Sequence, residues 1–383
     1  NSQRQQFIGL SMAKRLCAVL GASGIVSQRL QQRLVNHPWF ELAAVCGGPD
    51  TAGKALHTID WKLEQKRPDM PDLTVLDLAD SKICNRLLDL GVSVVFSAIP
   101  SEIAQDVEPM LAESGFAVFS NASSYRCVDG IPLVIAEINP EHMEHFAVDG
   151  LPMVCSTNCT LIPMAMPLAP LSKLLGIKSV TMRSEQALSG GGWRLLFDQN
   201  ALAGIVDPEI PDEATKTASE LRYVFGKTND QPSRKNPKSS VHITNASIDT
   251  DIKCRRVSRK DGHQVFVTVK LLNPTTLSEV KLLMSTFHSA PQLLNLPSAP
   301  TNPIQLVEQI DTTAHLWADG ENFPQDVEPS NNLRAGMAVT VGNIELIKPD
   351  LLSFEAYSHN TIRGAAGGVV LLAEFALSEG YLD

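Results

Sequence analysis

The chain has 383 residues, more than one ordinary hydrophobic core accommodates, so two domains are expected. With 44% hydrophobic and 19% charged residues it reads as a globular chain rather than a disordered one. A formal net charge of -10 argues against a nucleic-acid or anionic-membrane partner, while leaving room for a local basic pocket that takes a phosphorylated small molecule.

In chain order, RLCAVLGASG predicts a strand running into a glycine turn, and IVSQRLQQRLVNHP a helix stopped at Pro38. FELAAVCGG is a second strand, LLDLGVSVVFSAIP contains another, and SEIAQDVEPMLAESG is a helix ended by Gly115. FAVFSNAS is again a strand. Strand, helix, strand with short connections predicts a Rossmann-type, doubly wound parallel sheet over 12–158. Beyond it the pattern changes to longer alternating segments, GIKSVTMRSEQALSGGG, KSSVHITNASIDTDIKCRRVSR, GHQVFVTVKLL and GMAVTVGNIELI. The helical stretches DEATKTASELRYVFG and TLSEVKLLMSTFHSA lie between them, so 159–358 reads as an α+β domain with a mainly antiparallel sheet. Residues 359–383, with small side chains in their first turns, read as a C-terminal helix packing back on the first domain.

Several motifs carry chemistry. In GASGIVSQ, Gly21 and Gly24 follow a strand and open a helix, as a turn that admits a dinucleotide pyrophosphate does. Ser27 stands where the third glycine of that fingerprint is usual. After the next strand comes CGGPDTAGK: Asp50 favours NAD, Thr51 and Lys54 suit the 2′-phosphate of NADP, and the choice stays open. SEQALSGGGW offers a backbone-accessible loop beside Gln186, and CRRVSRKDGHQ brings Arg256 and His263 onto two strands joined by an Asp261-Gly262 turn. The seven cysteines, at 17, 46, 84, 127, 155, 159 and 254, are odd in number, dispersed and free of CxxC pairs. That usage fits a reduced, cytoplasmic protein with neither a disulfide framework nor a metal site. Alone, Cys159 in STNCTLIPMAMPLAPL reads as a small buried hydrophobe. With Pro163 in the first turn of a following helix, it reads as a thiol at the positive end of a helix dipole. No apolar run approaches the roughly 18 residues of a membrane span. NSQRQQFIGLSMAKR lacks a signal-peptide core, and the residues before Met12 read as an upstream extension or a cloning remnant.

The order VLGASGIV, SNASSYR, IPLVIAEINPEHM, NCT, EQALSG, CRRVSRKDGH and SHNTIRGAAGG resembles the aspartate-semialdehyde dehydrogenase family, in its archaeal and fungal branch, from Lys14 to Tyr381. The resemblance implies reduction of L-aspartyl 4-phosphate by NADPH to L-aspartate 4-semialdehyde through a cysteine thioester, on the route to diaminopimelate, lysine, methionine and threonine. It makes Cys159 the nucleophile, His263 the acid/base and Gln186 the orienting amide. It assigns Arg256 to the substrate carboxylate, Glu220 to its amine, and Arg126 with Asn121 to the phosphate. Gly21, Ser23, Gly24, Ile25, Val26, Thr51, Ser189, Gly190 and Asn360 are implied at the cofactor, NADP, with Asp50 leaving NAD open. It also implies a homodimer or homotetramer. The departures are Ser27, Asp50, Tyr223 beside Arg222 at an expected phosphate-binding lysine, STNC for NPNC, and RRVSR for NRVPV. Archaeal malonyl-CoA reductases look like the same scaffold with a thioester substrate, and a catalytically weak cofactor-binding paralogue is the other alternative.

Overall fold

The computed structural model describes residues 13–146, 151–229 and 242–383. The upstream extension and the first residues of the predicted segment at 238–259 lie outside them. Six strands, β1 (Arg15–Leu20), β2 (Phe40–Gly47), β3 (Leu76–Asp77), β4 (Val94–Ser97), β5 (Ala117–Ser120) and β6 (Met153–Cys155), form a parallel sheet in the order β3-β2-β1-β4-β5-β6. Helices α1 (Ile25–Leu34), α2 (Ile83–Asp89) and α3 (Ser101–Glu113) connect them. CAVL of β1 and VVFS of β4 are buried throughout, as unbroken apolar runs are when both faces of a sheet are covered. The strand order reverses between β1 and β4, where a doubly wound sheet opens a crevice at its carboxyl ends.

The second sheet has the order β10-β7-β11-β14-β13-β12, from β7 (Ile177–Gln186), β10 (Asp249–Arg256), β11 (His263–Leu271), β12 (Ile304–Leu306), β13 (Val339–Lys348) and β14 (Leu351–Ser358). Its three central pairings are antiparallel, but β10 runs parallel to β7 and β12 to β13, so the sheet is mixed. The reason lies in the connections: a crossover through short α5 (Trp193–Leu196), α6 (Gln199–Leu202) and α7 (Glu213–Val224) brings the chain back in the same sense. A small hairpin, β8 (Lys227–Asn229) with β9 (His242–Thr244), follows α7. α4 (Leu161–Leu175) is almost wholly buried against β11, β13 and β14, which accounts for its apolar sequence all round. α8 (Leu277–Ser285) and α9 (Ala290–Leu293) complete this half.

The C-terminal segment does not begin as the α-helix its sequence predicts. Gly364 N donates to His359 O at 3.1 Å and Ala366 N to Thr361 O at 3.1 Å, so Ile362–Ala366 is a wide turn with five-residue bonds. α10 (Gly367–Ser378) follows and packs against α1. Its Val369, Val370, Leu371 and Phe375 share one buried cluster with Cys17 and Val19 of β1 and Phe40 and Leu42 of β2. A smaller cluster, Ile25, Leu63, Leu188, Leu196 and Ala201, joins the start of α1 to the loop after β7. Among the described residues no helix is long and apolar enough to cross a membrane.

Candidate active site

The glycine turn sits at the carboxyl end of β1, beside the switch point. Gly21 has φ +107°, a conformation that side chains rarely adopt, and a β-carbon there would lie 2.9 Å from Ser27 Cβ. Ser27 therefore does the packing usually left to a third glycine, with its hydroxyl turned back to donate to Gly24 O at 2.9 Å. Gly24 caps α1 in an extended conformation, and no side chain caps the first-turn N–H groups. A helix start open in this way fits a pyrophosphate. Ser23, Ile25 and Val26 belong to the same turn and first helical residues. In the loop after β2, Thr51 donates its hydroxyl to Gly48 O at 3.2 Å, and Asp50 and Lys54 are exposed.

The thiol of Cys159 lies two residues before α4. Asn158 caps the helix there, its Oδ1 accepting from Leu161 N at 2.9 Å, and Pro163 occupies the first turn. Gln186, last residue of β7, donates through Nε2 to Cys159 Sγ at 3.3 Å. Sheet register supplies the rest of the group. Arg256 on β10, Gln186 on β7 and His263 on β11 are directly paired, so their side chains leave the sheet on one face. Arg256 Nη1 donates to Gln186 Oε1 and, at 3.0 Å, to Ala187 O. A β-carbon on Gly190 would lie 2.7 Å from Gln186 Cδ and 3.0 Å from Arg256 Nη1, so that loop needs glycine to lie against the pair.

Burial, reinforced by the Glu213 carboxylate, pushes the Cys159 thiol up to about 12, with Arg126, Arg256 and the Gln186 amide acting in the opposite sense. His263 is fully buried, and among the described residues neither ring nitrogen has a hydrogen-bond partner. Burial, with Arg259 and Arg256 nearby, lowers its imidazole to about 3, so the ring is neutral at neutral pH. Cys155 is inert by comparison: fully buried in the core, its thiol is raised by desolvation with Glu108 adding to it.

Not every implied residue stands beside the thiol. Glu220 is buried on α7, where its Oε1 pairs with Arg126 at 3.3 Å and its Oε2 accepts from Asn158 N at 2.7 Å. Arg126 also donates to Asn121 O at 2.8 Å, and Asn121 Oδ1 accepts from Ser156 at 3.0 Å. The carboxylate nearer the thiol is Glu213, one helical face-repeat earlier: it accepts from Gln186 Nε2 at 3.3 Å and from the Thr160 hydroxyl. Sequence reasoning missed Glu213, because residues seven apart share a helix face and nothing local distinguishes them. Tyr223 is buried edge-on to His142, and Arg222 donates to Thr250, so neither lies free in the cleft. Asn360 is spent on the loops: Gly262 N donates to its Oδ1 at 2.7 Å, and its Nδ2 donates to Ser189 Oγ at 2.8 Å. This network fixes the turn that carries His263 beside the loop after β7. Gly364, unremarked in the sequence, lies against Cys159: a β-carbon there would lie 2.6 Å from Cys159 Cβ.

Residues 17–146 match the family model for the NAD-binding domain of semialdehyde dehydrogenases. An aspartate-semialdehyde dehydrogenase of Archaeoglobus fulgidus is 35% identical over 94% of this chain and 97% of its own. The chain belongs to the aspartate-semialdehyde dehydrogenase family. A crystal structure of the Candida albicans member with NADP superposes with a TM-score of 0.76 at 27% identity, covering 96% of this chain and 99% of that one. A malonyl CoA reductase (NADP) of Metallosphaera sedula is also similar, 28% identical over 96% of this chain and 98% of its own. In this aspartate-semialdehyde dehydrogenase family member the glycine turn follows β1 and the Cys159 turn follows β6, both at carboxyl ends of the parallel sheet.

Proposed function

We propose that this chain is an NADP-dependent oxidoreductase that converts L-aspartyl 4-phosphate to L-aspartate 4-semialdehyde and phosphate, for lysine, methionine and threonine synthesis. The observation that carries the reading is the Cys159 thiol held by Gln186 in one register row with Arg256 and His263, in a chain of this family. Cys159 sulfur forms a bond to the acyl carbon as the carbon–oxygen bond to phosphate breaks, and phosphate leaves with the electron pair. His263, on the sheet face of Gln186 and paired with it in register, takes the thiol proton and later returns one. Gln186 orients the acyl group, and Arg256 grips the α-carboxylate. Glu213 is better placed than Glu220 to receive the substrate ammonium, because Glu220 is already committed to Arg126 and Asn158. Phosphate reaching Arg126 and Asn121 competes with Glu220 for the guanidinium.

Gly21, Ser23, Gly24, Ile25 and Val26 would hold the pyrophosphate of NADP; Thr51 would lie by the ribose, and Ser189, Gly190 and Asn360 by the nicotinamide. When bound, the cofactor supplies the hydride that reduces the thioester. The working division is 12–158 for cofactor, 159–358 for chemistry and self-association, and 359–383 closing back on the cofactor part. We assign a cytoplasmic location on the seven free cysteines. The chain pairs with a copy of itself through the outer face of the second sheet. Thr181 and Arg183 are exposed there, with Arg183 over the Phe266 ring, and α4 covers the opposite face. Sedimentation as a monomer would remove that part of the reading.

Initial rates with aspartyl phosphate or malonyl-CoA, each with NADPH or NADH, test the assignment. Turnover of aspartyl phosphate with NADPH is expected. Turnover confined to malonyl-CoA would transfer the chain to the reductase chemistry of its Metallosphaera sedula relative.

A further inference from the structure

The segment Ile131–Met143 contributes nothing that touches the thiol, yet it is tied to it at one remove. It runs beside β6: Val134 N donates to Cys155 O at 3.0 Å, and Cys155 N to Pro132 O at 2.9 Å. Asn139 shapes the turn that follows, accepting from Ile135 N at 2.8 Å and donating to Leu133 O at 2.9 Å. That turn delivers Glu137 to the interior, where its Oε2 accepts from Arg363 Nη2 at 2.7 Å; both side chains are buried, 0% and 3% exposed. Arg363 belongs to the wide turn Ile362–Ala366, and its guanidinium lies over Gly368, where a β-carbon would come within 3.4 Å of Nη1. The next residue, Gly364, lies against the nucleophile: a β-carbon there would meet Cys159 Cβ at 2.6 Å and Cys159 Cα at 3.1 Å.

We propose that Glu137 and Arg363 are positioning residues, whose buried ion pair fixes the turn that seats Gly364 on Cys159 and so holds the thiol toward Gln186. A buried pair adds little net stability over an apolar replacement, because desolvation offsets its attraction, whereas separating its partners leaves a buried charge uncompensated. Here those segments are the loop beside β6, which leads into Cys159, and the turn that packs on it. Contact between main chain and Cβ limits the rotamers from which Sγ can reach Gln186 Nε2. The inference rests on Cys159 being the nucleophile of the proposed reaction, and its test separates the two ideas.

The test is the rate of Cys159 alkylation by iodoacetamide, followed by peptide mass spectrometry from about pH 6 to about pH 10. It runs alongside kcat, KM and thermal unfolding, on the parent, Arg363→Lys and Gly364→Ala. Arg363→Lys keeps the charge but moves the point of attachment. It is expected to lower kcat by about 10²-fold with KM nearly unchanged, and to alter the alkylation profile by about tenfold or more. Glu137→Gln, measured alongside, weakens the pair from its other side and should give the same signature, so it decides the matter if Arg363→Lys does not fold; Gly364→Ala, whose β-carbon would press on Cys159 Cβ directly, tests the contact alone. Arg363→Lys, Glu137→Gln or Gly364→Ala with a lowered melting temperature but the parent's alkylation profile and kcat would overturn the proposal, leaving the pair a structural element only. Alkylation needs no substrate, so a parent inactive on aspartyl phosphate would discard the substrate reading without touching this one.

Discussion

The first sheet offers its proposed ligand backbone, through Gly21, Gly24 and the open start of α1, whereas the second, with α7, offers its proposed substrate side chains, Arg256, Gln186, His263 and Glu213. Backbone recognition needs only a short contiguous stretch and no titration. Side-chain chemistry needs residues from β7, β10, β11 and α7 brought into one row, and it depends on charges the interior disfavours. Damage to the first half should therefore appear as weaker cofactor binding, and damage to the second as slower chemistry.

The sharpest break is Cys159→Ser. It should reduce kcat by about 10⁴-fold or more while NADPH binding, followed by fluorescence titration, stays at the parent value. A retained rate would assign the chemistry elsewhere. Glu213→Gln comes next, expected to reduce kcat/KM for aspartyl phosphate by about 10–10²-fold, the loss of one charged hydrogen bond. It should also raise the Cys159 alkylation rate at any given pH below the thiol's own value, because the Glu213 charge is one of the causes that hold that value up. If Glu220→Gln has the larger effect on kcat/KM and Glu213→Gln none, the ammonium site belongs to Glu220.

On the other sheet, Gly21→Ala places a β-carbon against Ser27 in a left-handed conformation. NADPH affinity should fall by about tenfold, roughly 1–2 kcal/mol, with kcat at saturating cofactor little changed. A separate effect concerns acid. The folded value for His263, about 3, lies below the unfolded one, so the unfolded chain takes up the proton first. Its stability contribution is intact above about pH 6.5 and is lost as pH falls, at no more than about 1.4 kcal/mol per pH unit. Comparing urea unfolding of the parent with His263→Asn isolates this loss: the parent's margin over the variant should shrink between about pH 6.5 and about pH 3.

Contiguity decided what was legible in sequence. The glycine turn, the short apolar strands of the first sheet and the Cys159-to-Pro163 helix start can be read because each is written in neighbouring residues. The register that pairs Arg256, Gln186 and His263 was readable only as a tendency of two strands around a turn. Glu213 was missed because choosing it over Glu220 requires knowing how α7 lies over the thiol. The parallel pairing of β10 with β7 was missed because alternation reveals a strand but not its direction. Gly364 gave no sign, since a glycine needed for close approach looks in sequence like one needed for a turn.

The packing of α10 into the core of the first sheet bears on how the molecule comes into being. Val369, Val370 and Phe375 are made long after Cys17 and Val19, yet they share a cluster with them. The nascent first sheet thus emerges with an apolar face that its own segment cannot cover, and that face stays open to chaperones until α10 has been made. Contacts spanning almost the whole chain make closure slow, and once made they tie both sheets into a single cooperative unit. Translation that stalls before α10 should yield an aggregation-prone fragment rather than a stable half-enzyme.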